Sequence, residues 1–371
     1  MNRVYLLLPI VLMVNDESLS QKIGYFCSYT PLEILHAAGL TPVRIIGHSN
    51  PIQEGDNYMH PNLCQYVRSC IDAAVLGQYE DLEGLVFVNS CDAMRRLADV
   101  WNQYVPVNFS TMLDLPMGEA NIDVEYYREE LAKLKQSLEQ HFVVTITDQM
   151  LQQAGEMYNA ARDLYHQVNA LRRETPPRIR GQEMMQLANR FFTQRPEDWI
   201  EETKTLLQEK DTTDGVPEES QISETRPRIL LAGSPIHDPE IVGFIEECGF
   251  AVVGEELCSG ERFFDLNVPI EPDMLATLSK TYLTKPPCAR MMNIEKRVER
   301  IVHQAQDLNA AGIIHHTLKF CDTYAYDLPV LQDLLADADL KILSIEGDCT
   351  LGSMSQLRTR LEAFREVLES S

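Results

Sequence analysis

Short apolar runs alternate with helical stretches in two separate blocks of this chain, the pattern that a parallel sheet with crossover helices imposes. In the first block, Thr30-Pro31-Leu32-Glu33 reads as a helix start, with Thr at the N-cap, Pro at N1 and Glu at N3; the helix carries Ile34, Leu35 and Ala38 to a stop at Gly39. Pro42 to Ile46 reads as a strand, Asn62 to Val75 as a helix, Leu85 to Val88 as a buried strand and Asp92 to Trp101 as the helix after it. The second block opens at Arg228-Ile229-Leu230-Leu231-Ala232-Gly233-Ser234-Pro235, a strand running into a small-residue turn. Its strands are expected at Ile229 to Ala232, Ala251 to Val253, Gly312 to His315 and Lys341 to Ile345, with helices at Asn293 to Leu308, Asp322 to Ala336 and Ser353 to Leu368.

Between the blocks the character changes to long amphipathic segments, Glu125 to His141 and Asp148 to Arg173 among them. Glu197 to Glu224 then holds ten acidic residues against two basic ones, with Asp214-Gly215-Val216-Pro217 inside it, and reads as a mobile linker or surface loop. The expected fold is therefore α/β: two Rossmann-like or flavodoxin-like parallel-sheet domains, residues 1–120 and 225–371, joined by a helical connecting region over 121–224. The two α/β halves read as distant structural copies. Val4 to Val14, an eleven-residue apolar run after Arg3, is too short to span a bilayer. It lacks a small-residue cleavage site and reads as a buried strand rather than a signal peptide.

The 371 residues carry 56 Asp plus Glu against 32 Lys plus Arg, a formal charge of −24, with no Lys/Arg-rich block. Nucleic acid and anionic membrane both need a basic footprint, so neither is an expected partner. Nine cysteines at wide spacings, in a chain too large to depend on disulfide staples, fit a reducing cytoplasm.

Three of those cysteines sit in matching settings: Asn62-Leu63-Cys64, Asn89-Ser90-Cys91-Asp92 and Lys319-Phe320-Cys321-Asp322, the last two each following an apolar run and opening a helical stretch. A thiolate at a strand-to-helix junction lies among unpaired backbone N–H groups and beside the crevice where open α/β sheets bind ligands. We read Cys64, Cys91 and Cys321 as ligands of an iron–sulfur cluster in the cleft between the domains; buried thiols packing as small apolar residues are the other reading. No Cys-x-x-Cys pair exists, which disfavours structural zinc. Three thiolates leave one iron of a [4Fe–4S] cluster open to a substrate oxygen. The chain has neither a G-x-x-x-x-G-K-[ST] loop nor a G-x-G-x-x-G fingerprint, so ATP and NAD are expected to bind elsewhere if used. His315 and His316, ending a strand, are candidate acid–base groups or core histidines. Ser28 and Tyr29 precede a helix N-terminus, a place for a substrate phosphate or carboxylate. Glu346-Gly347-Asp348 closes the last strand, and Asp92 and Asp322 serve as helix N-caps or catalytic groups.

Taken together, Cys27-Ser28-Tyr29-Thr30-Pro31-x-Glu33, His60-Pro61-Asn62-Leu63-Cys64, Asn89-Ser90-Cys91-Asp92-Ala93-Met94-Arg95-Arg96, Leu257-Cys258-Ser259-Gly260-x-Arg262, Thr317-Leu318-Lys319-Phe320-Cys321-Asp322 and Gln356-Leu357-x-Thr359-Arg360-x-Glu362-Ala363-Phe364 resemble the 2-hydroxyacyl-CoA dehydratase and benzoyl-CoA reductase family. The resemblance runs from about Gly24 to the C-terminus and leaves residues 1–20 unmatched. It implies a [4Fe–4S] cluster on Cys64, Cys91 and Cys321, pairing with a second homologous subunit as a heterodimer or homodimer, and an ATP-hydrolysing activator protein with its own [4Fe–4S] cluster. It implies elimination of water from an (R)-2-hydroxyacyl-CoA through a ketyl radical anion or, in the reductases, electron transfer into an aromatic thioester. One branch of the family carries a double-cubane [8Fe–9S] cluster on six cysteines. Cys258 and Cys288 fall in motifs where that branch has cysteine; Gly77 to Leu85 lacks the matching one, and Cys70 is the possible substitute. Cys27, Cys248 and Cys349 are expected to be packed thiols. The leading expectation is an iron–sulfur dehydratase subunit acting on an acyl-CoA; a reductase subunit and a non-catalytic partner subunit are the alternatives.

Overall fold

A computed structural model describes residues 21–212, 225–347 and 354–370. The first sheet is built from β1 (Lys22–Tyr25), β2 (Thr41–Arg44), β3 (Leu82–Val88) and β4 (Phe109–Leu113), all parallel, in the order β2-β1-β3-β4. Helices α1 (Leu32–Ala37), α2 (Gln65–Val75) and α3 (Asp92–Tyr104) make its crossovers. β3 is buried on both faces, which is why Leu85 to Val88 is an unbroken apolar run. Helix α1 begins one residue later than its sequence suggests: Pro31 takes the N-cap position, and the Thr30 hydroxyl, expected as the cap, is buried without a partner.

Four helices follow: α4 (Asn121–Phe142), α5 (Asp148–Arg173), α6 (Gly181–Thr193) and α7 (Pro196–Thr212). The first sixteen residues of the expected acidic linker thus belong to a helix, while 213–224, with Asp214-Gly215-Val216-Pro217, lies outside the described residues. On that helix Asp198, Glu201, Glu202 and Glu209 are exposed, whereas Trp199 and Thr203, one turn apart, are buried and the Trp199 Nε1 donates to the Leu187 carbonyl at 3.0 Å.

The second sheet repeats the first. β5 (Arg228–Gly233), β6 (Ala251–Glu256), β7 (Gly312–Leu318) and β8 (Ile342–Gly347) are parallel in the order β6-β5-β7-β8. The chain thus runs through the same strand order twice, in line with two distant copies. Helices α8 (Pro239–Glu247), α9 (Glu261–Phe264), α10 (Met274–Thr284), α11 (Ile294–Asp307), α12 (Asp322–Asp337) and α13 (Met354–Glu369) complete this half. Val4 to Val14, Asp348 and Cys349 lie outside the described residues.

Each sheet buries apolar side chains on both faces. One face of the first sheet packs on α2 and α3, and the other joins α1, α4, α5, α6 and α10 in the largest core. The second sheet packs α8 and α13 on one face and α11 and α12 on the other. Helix α5 belongs to both halves through buried ion pairs: Arg162 meets Glu33 of α1 at 2.8 Å, and Arg172 meets Glu255 of β6. Among the described residues no helix is long and apolar enough to cross a membrane.

Candidate functional site

In each sheet the strand order reverses beside the first strand, between β1 and β3 and between β5 and β7, and the carboxyl ends of the strands there are where open α/β sheets receive ligands. Cys91 lies three residues past β3, and Cys321 three residues past β7, so the two occupy equivalent positions in the repeated topology. Cys64, Cys91 and Cys321 are the N-cap residues of α2, α3 and α12. A cysteine has no oxygen with which to cap the helix, so the free N–H groups of each first turn are left facing a sulfur.

The fold brings these three thiols together. Cys91 and Cys321, partly exposed, pack on the apolar cluster that contains buried Cys64, although Cys321 belongs to the opposite half of the chain. Burial pushes the Cys64 thiol up to about 12; the neighbouring Cys321 and Cys91 add to this, and the N–H groups of Val67 and Tyr66 oppose it. Burial likewise raises Cys91 against the N–H groups of Met94 and Ala93, and raises Cys321 against the N–H of Tyr324 and the Ser234 hydroxyl. Each thiol is therefore harder to deprotonate than a free one, and a cation held among them would release protons on binding. Among the described residues no three His, Cys, Asp or Glu side chains close on a single metal ion. Three thiols contributed by three helix N-termini suit a multi-iron cluster, in which each thiolate meets its own iron.

A second group of thiols forms nearby. Cys27 interacts electrostatically with Cys288 and with Cys258; Cys70 lies buried beside Cys64, Tyr66 and Arg44. Cys27, expected to be a packed thiol, thus lies beside Cys258 and Cys288. Burial pushes Cys27 up to about 11. Cys258 behaves differently: burial works to raise it, but Arg44 and Arg262 beside it prevail and bring it below its ordinary value. Lys285, pushed down to about 7 by burial, donates its Nζ to the Ser28 carbonyl and lies 4.3 Å from the centre of the Tyr29 ring. Ser28 and Tyr29 thus lie beside this second group of thiols, and the Tyr29 carbonyl accepts from the Tyr127 hydroxyl. Cys248 is buried away from both groups, in the core under α13.

His315 and His316 lie inside β7, 1% and 5% exposed, where burial pushes each down to about 4. Both are uncharged near neutrality. The Asp92 carboxylate is exposed and pairs with Arg95.

Several polar residues escaped the sequence. A cleft of about 220 Å³ between the halves is lined by Gly47, His48, Tyr66, Ser69, His237 and Leu318. His48 Nε2 lies 2.7 Å from the buried Asp72 carboxylate, which also accepts the N–H groups of Gln53, Glu54 and Gly55. These donors outweigh burial and hold Asp72 below the usual carboxylate range. His237 stacks on Tyr66, and burial followed by Arg44 keeps it uncharged. Arg44 left one signal, a charge within the apolar run read as a strand.

The chain is 24% identical over 367 residues to the (R)-phenyllactyl-CoA dehydratase beta subunit of Clostridium sporogenes, covering 96% of this chain and 94% of that one. It is 24% identical to a benzoyl-CoA reductase subunit of Thauera aromatica over 355 residues, 94% of this chain and 90% of the relative. It is 21% identical to the beta subunit of (R)-2-hydroxyglutaryl-CoA dehydratase of Acidaminococcus fermentans over 357 residues, 93% and 92% of the two. Residues 27–368 match the model of one family, and the chain belongs to that family, 2-hydroxyglutaryl-CoA dehydratase, D-component.

Proposed function

We propose that this chain is the iron–sulfur subunit of a 2-hydroxyacyl-CoA dehydratase-type enzyme. It acts with a second homologous subunit to eliminate water from an (R)-2-hydroxyacyl-CoA after one-electron activation by a separate ATP-dependent [4Fe–4S] protein. The observation that carries this reading is the convergence of Cys64, Cys91 and Cys321 at three helix N-caps from both halves of the chain.

These three residues would hold a [4Fe–4S] cluster. When bound, such a cluster supplies low-potential electron transfer and an iron open to a substrate oxygen, and the family resemblance supports a route through a ketyl radical anion of the substrate. The chain's own contribution is electrostatic and steric. The N–H groups of Tyr66, Val67, Ala93, Met94 and Tyr324 face the sulfurs and favour their negative charge. The apolar shell of Val67, Phe87, Met94 and Trp101 keeps water from one side.

Iron and sulfide quantitation on anaerobically purified protein, with a spectrum of its paramagnetism after dithionite reduction, tests the reading. About four irons per chain, lost in Cys64→Ala, Cys91→Ala and Cys321→Ala, is the expected result. Iron unaffected by those substitutions would overturn the ligand assignment. A second reading, a reductase subunit with a double-cubane cluster, draws support from the gathering of Cys27, Cys258 and Cys288, and it requires about eight irons.

A further inference from the structure

The pairing of β5 with β7 ends in an unusual rung. Main-chain partners run from Ile229 and Gly312 to Gly233 and His316. At Gly233 φ is +111 and a Cβ would collide with the His316 carbonyl, so only glycine lets the two strands stay this close as the chain turns away. The next N–H, that of Ser234, still donates to the His316 carbonyl at 2.8 Å. In a regular parallel ladder the Ser234 carbonyl would then receive the Leu318 N–H. Here the Leu318 N–H donates instead to the Ser234 Oγ at 3.1 Å, and Pro235, which follows, has no N–H with which to extend the ladder. A side-chain oxygen has taken the place of a main-chain carbonyl.

That substitution frees a proton. A hydroxyl that accepts a hydrogen bond still has one to give, and Ser234 is 0% exposed, so the proton calls for an acceptor inside the protein. The Cys321 sulfur is that acceptor. A tight turn brings it there: the Cys321 N–H donates to the Leu318 carbonyl at 2.9 Å, and Phe320 within the turn has a φ of 62. Leu318 is therefore held at both of its polar groups, by Ser234 on one side and by Cys321 on the other. One oxygen atom of β5 thus contacts both the start of the turn and the sulfur at its end. Cys91 has a comparable hydroxyl in Ser90, but from its own segment, whereas the donor to Cys321 comes from a different strand.

We propose that Ser234 is a positioning residue of the candidate cluster site, fastening the Leu318–Cys321 turn to β5 and donating its hydroxyl proton to the Cys321 sulfur, so that a cluster held there is easier to reduce. Hydrogen bonds to sulfur withdraw charge from it and are among the protein's means of setting a cluster's potential. The effect on potential rests on the reading of Cys321 as a cluster ligand; the fastening is a property of the chain alone.

The test compares the full-length wild-type chain, Ser234→Ala and Ser234→Thr, purified anaerobically, by two readouts. The first is amide hydrogen exchange of each protein after its iron is removed. Exchange at Leu318 should be several-fold faster in Ser234→Ala, with His316 little changed, and Ser234→Thr should stay close to wild type. The second is a redox titration of the iron-loaded proteins followed by paramagnetic resonance. At the potential that reduces half of the wild-type clusters, Ser234→Ala should be reduced several-fold less at equal iron content, and Ser234→Thr should recover the difference. A hydroxyl with a purely structural role would leave the potential unmoved, so an unchanged midpoint at full iron content overturns the proposal. Should Ser234→Ala fail to fold, wild-type exchange decides: Leu318 exchanging as fast as the exposed Phe320 overturns the fastening, and slow exchange upholds it. Iron absent from the wild type, with Leu318 protection lost in Ser234→Ala, would sink the cluster reading and leave the fastening standing.

Discussion

Cys64, Cys91 and Cys321 are faced by backbone N–H groups at the ends of helices, whereas Cys258 is faced by whole positive charges on Arg44 and Arg262. The outcomes are opposite: burial prevails over the N–H groups and raises all three thiols of the first group, while the guanidiniums prevail over burial and lower Cys258. Partial charges at a helix end amount to about half an elementary charge, too little alone to keep a buried thiol ionised. The balance of burial against the charge beside it thus raises the first group and lowers Cys258. The molecule places both in reach of the interface between its two sheets.

The largest expected effect breaks the comparison at its root. Cys91→Ala or Cys321→Ala should abolish most bound iron, while Cys258→Ala and Cys288→Ala should retain about four irons per chain by colorimetric assay. Next come the ion pairs that join α5 to the two halves. Arg162→Ala leaves Glu33 buried and uncompensated, and Arg172→Ala does the same to Glu255, so each should cost about 3–5 kcal/mol in anaerobic urea unfolding. Equal losses would show that both halves depend on the same helix.

The pH dependence of stability separates the amine of the second site from the thiols. Lys285 is pushed down from 10.5 to about 7, so between those values the unfolded chain binds more protons and stability rises with pH. Cys64 and Cys27, raised from 9.0 to about 12 and about 11, act oppositely: their contribution is complete below pH 9 and is lost as pH rises through their folded values. Lys285→Met should therefore flatten the rise above pH 7 and expose the thiol-driven decline above pH 9 in the apo-protein. The smallest effect concerns Phe320, which precedes Cys321 with φ 62 and is 43% exposed. Phe320→Gly should stabilise the chain by about 1 kcal/mol, because an L side chain is strained in the left-handed region.

The element pattern was legible because parallel strands buried on both faces leave continuous apolar runs, as Leu85 to Val88 and Ile229 to Ala232 do. Helix α7 was hidden because acidity dominates its composition, and a single buried Trp199 with Thr203 one turn later is a faint stripe. In the first thiol group, the places of Cys91 and Cys321 at helix starts were readable from the apolar runs before them. The second group was not. Its members come from four separated segments around 27, 44, 258–262 and 285–288, and nothing near Arg44 signals that its partner is 214 residues away. The Asp72–His48 pair escaped for a similar reason, since Asp72 reads as one more acidic residue on a helix.

Helix α5 runs 26 residues, about 39 Å, and is fastened to one half at Arg162 and to the other at Arg172. The helix acts as a rigid spar between the sheets, and the angle between its two fastenings is fixed by residue count. One residue inserted between Arg162 and Arg172 would turn one attachment by about 100° relative to the other. In this architecture the alignment of thiols drawn from opposite ends of the chain is thereby a matter of helical phase, set far from any sulfur.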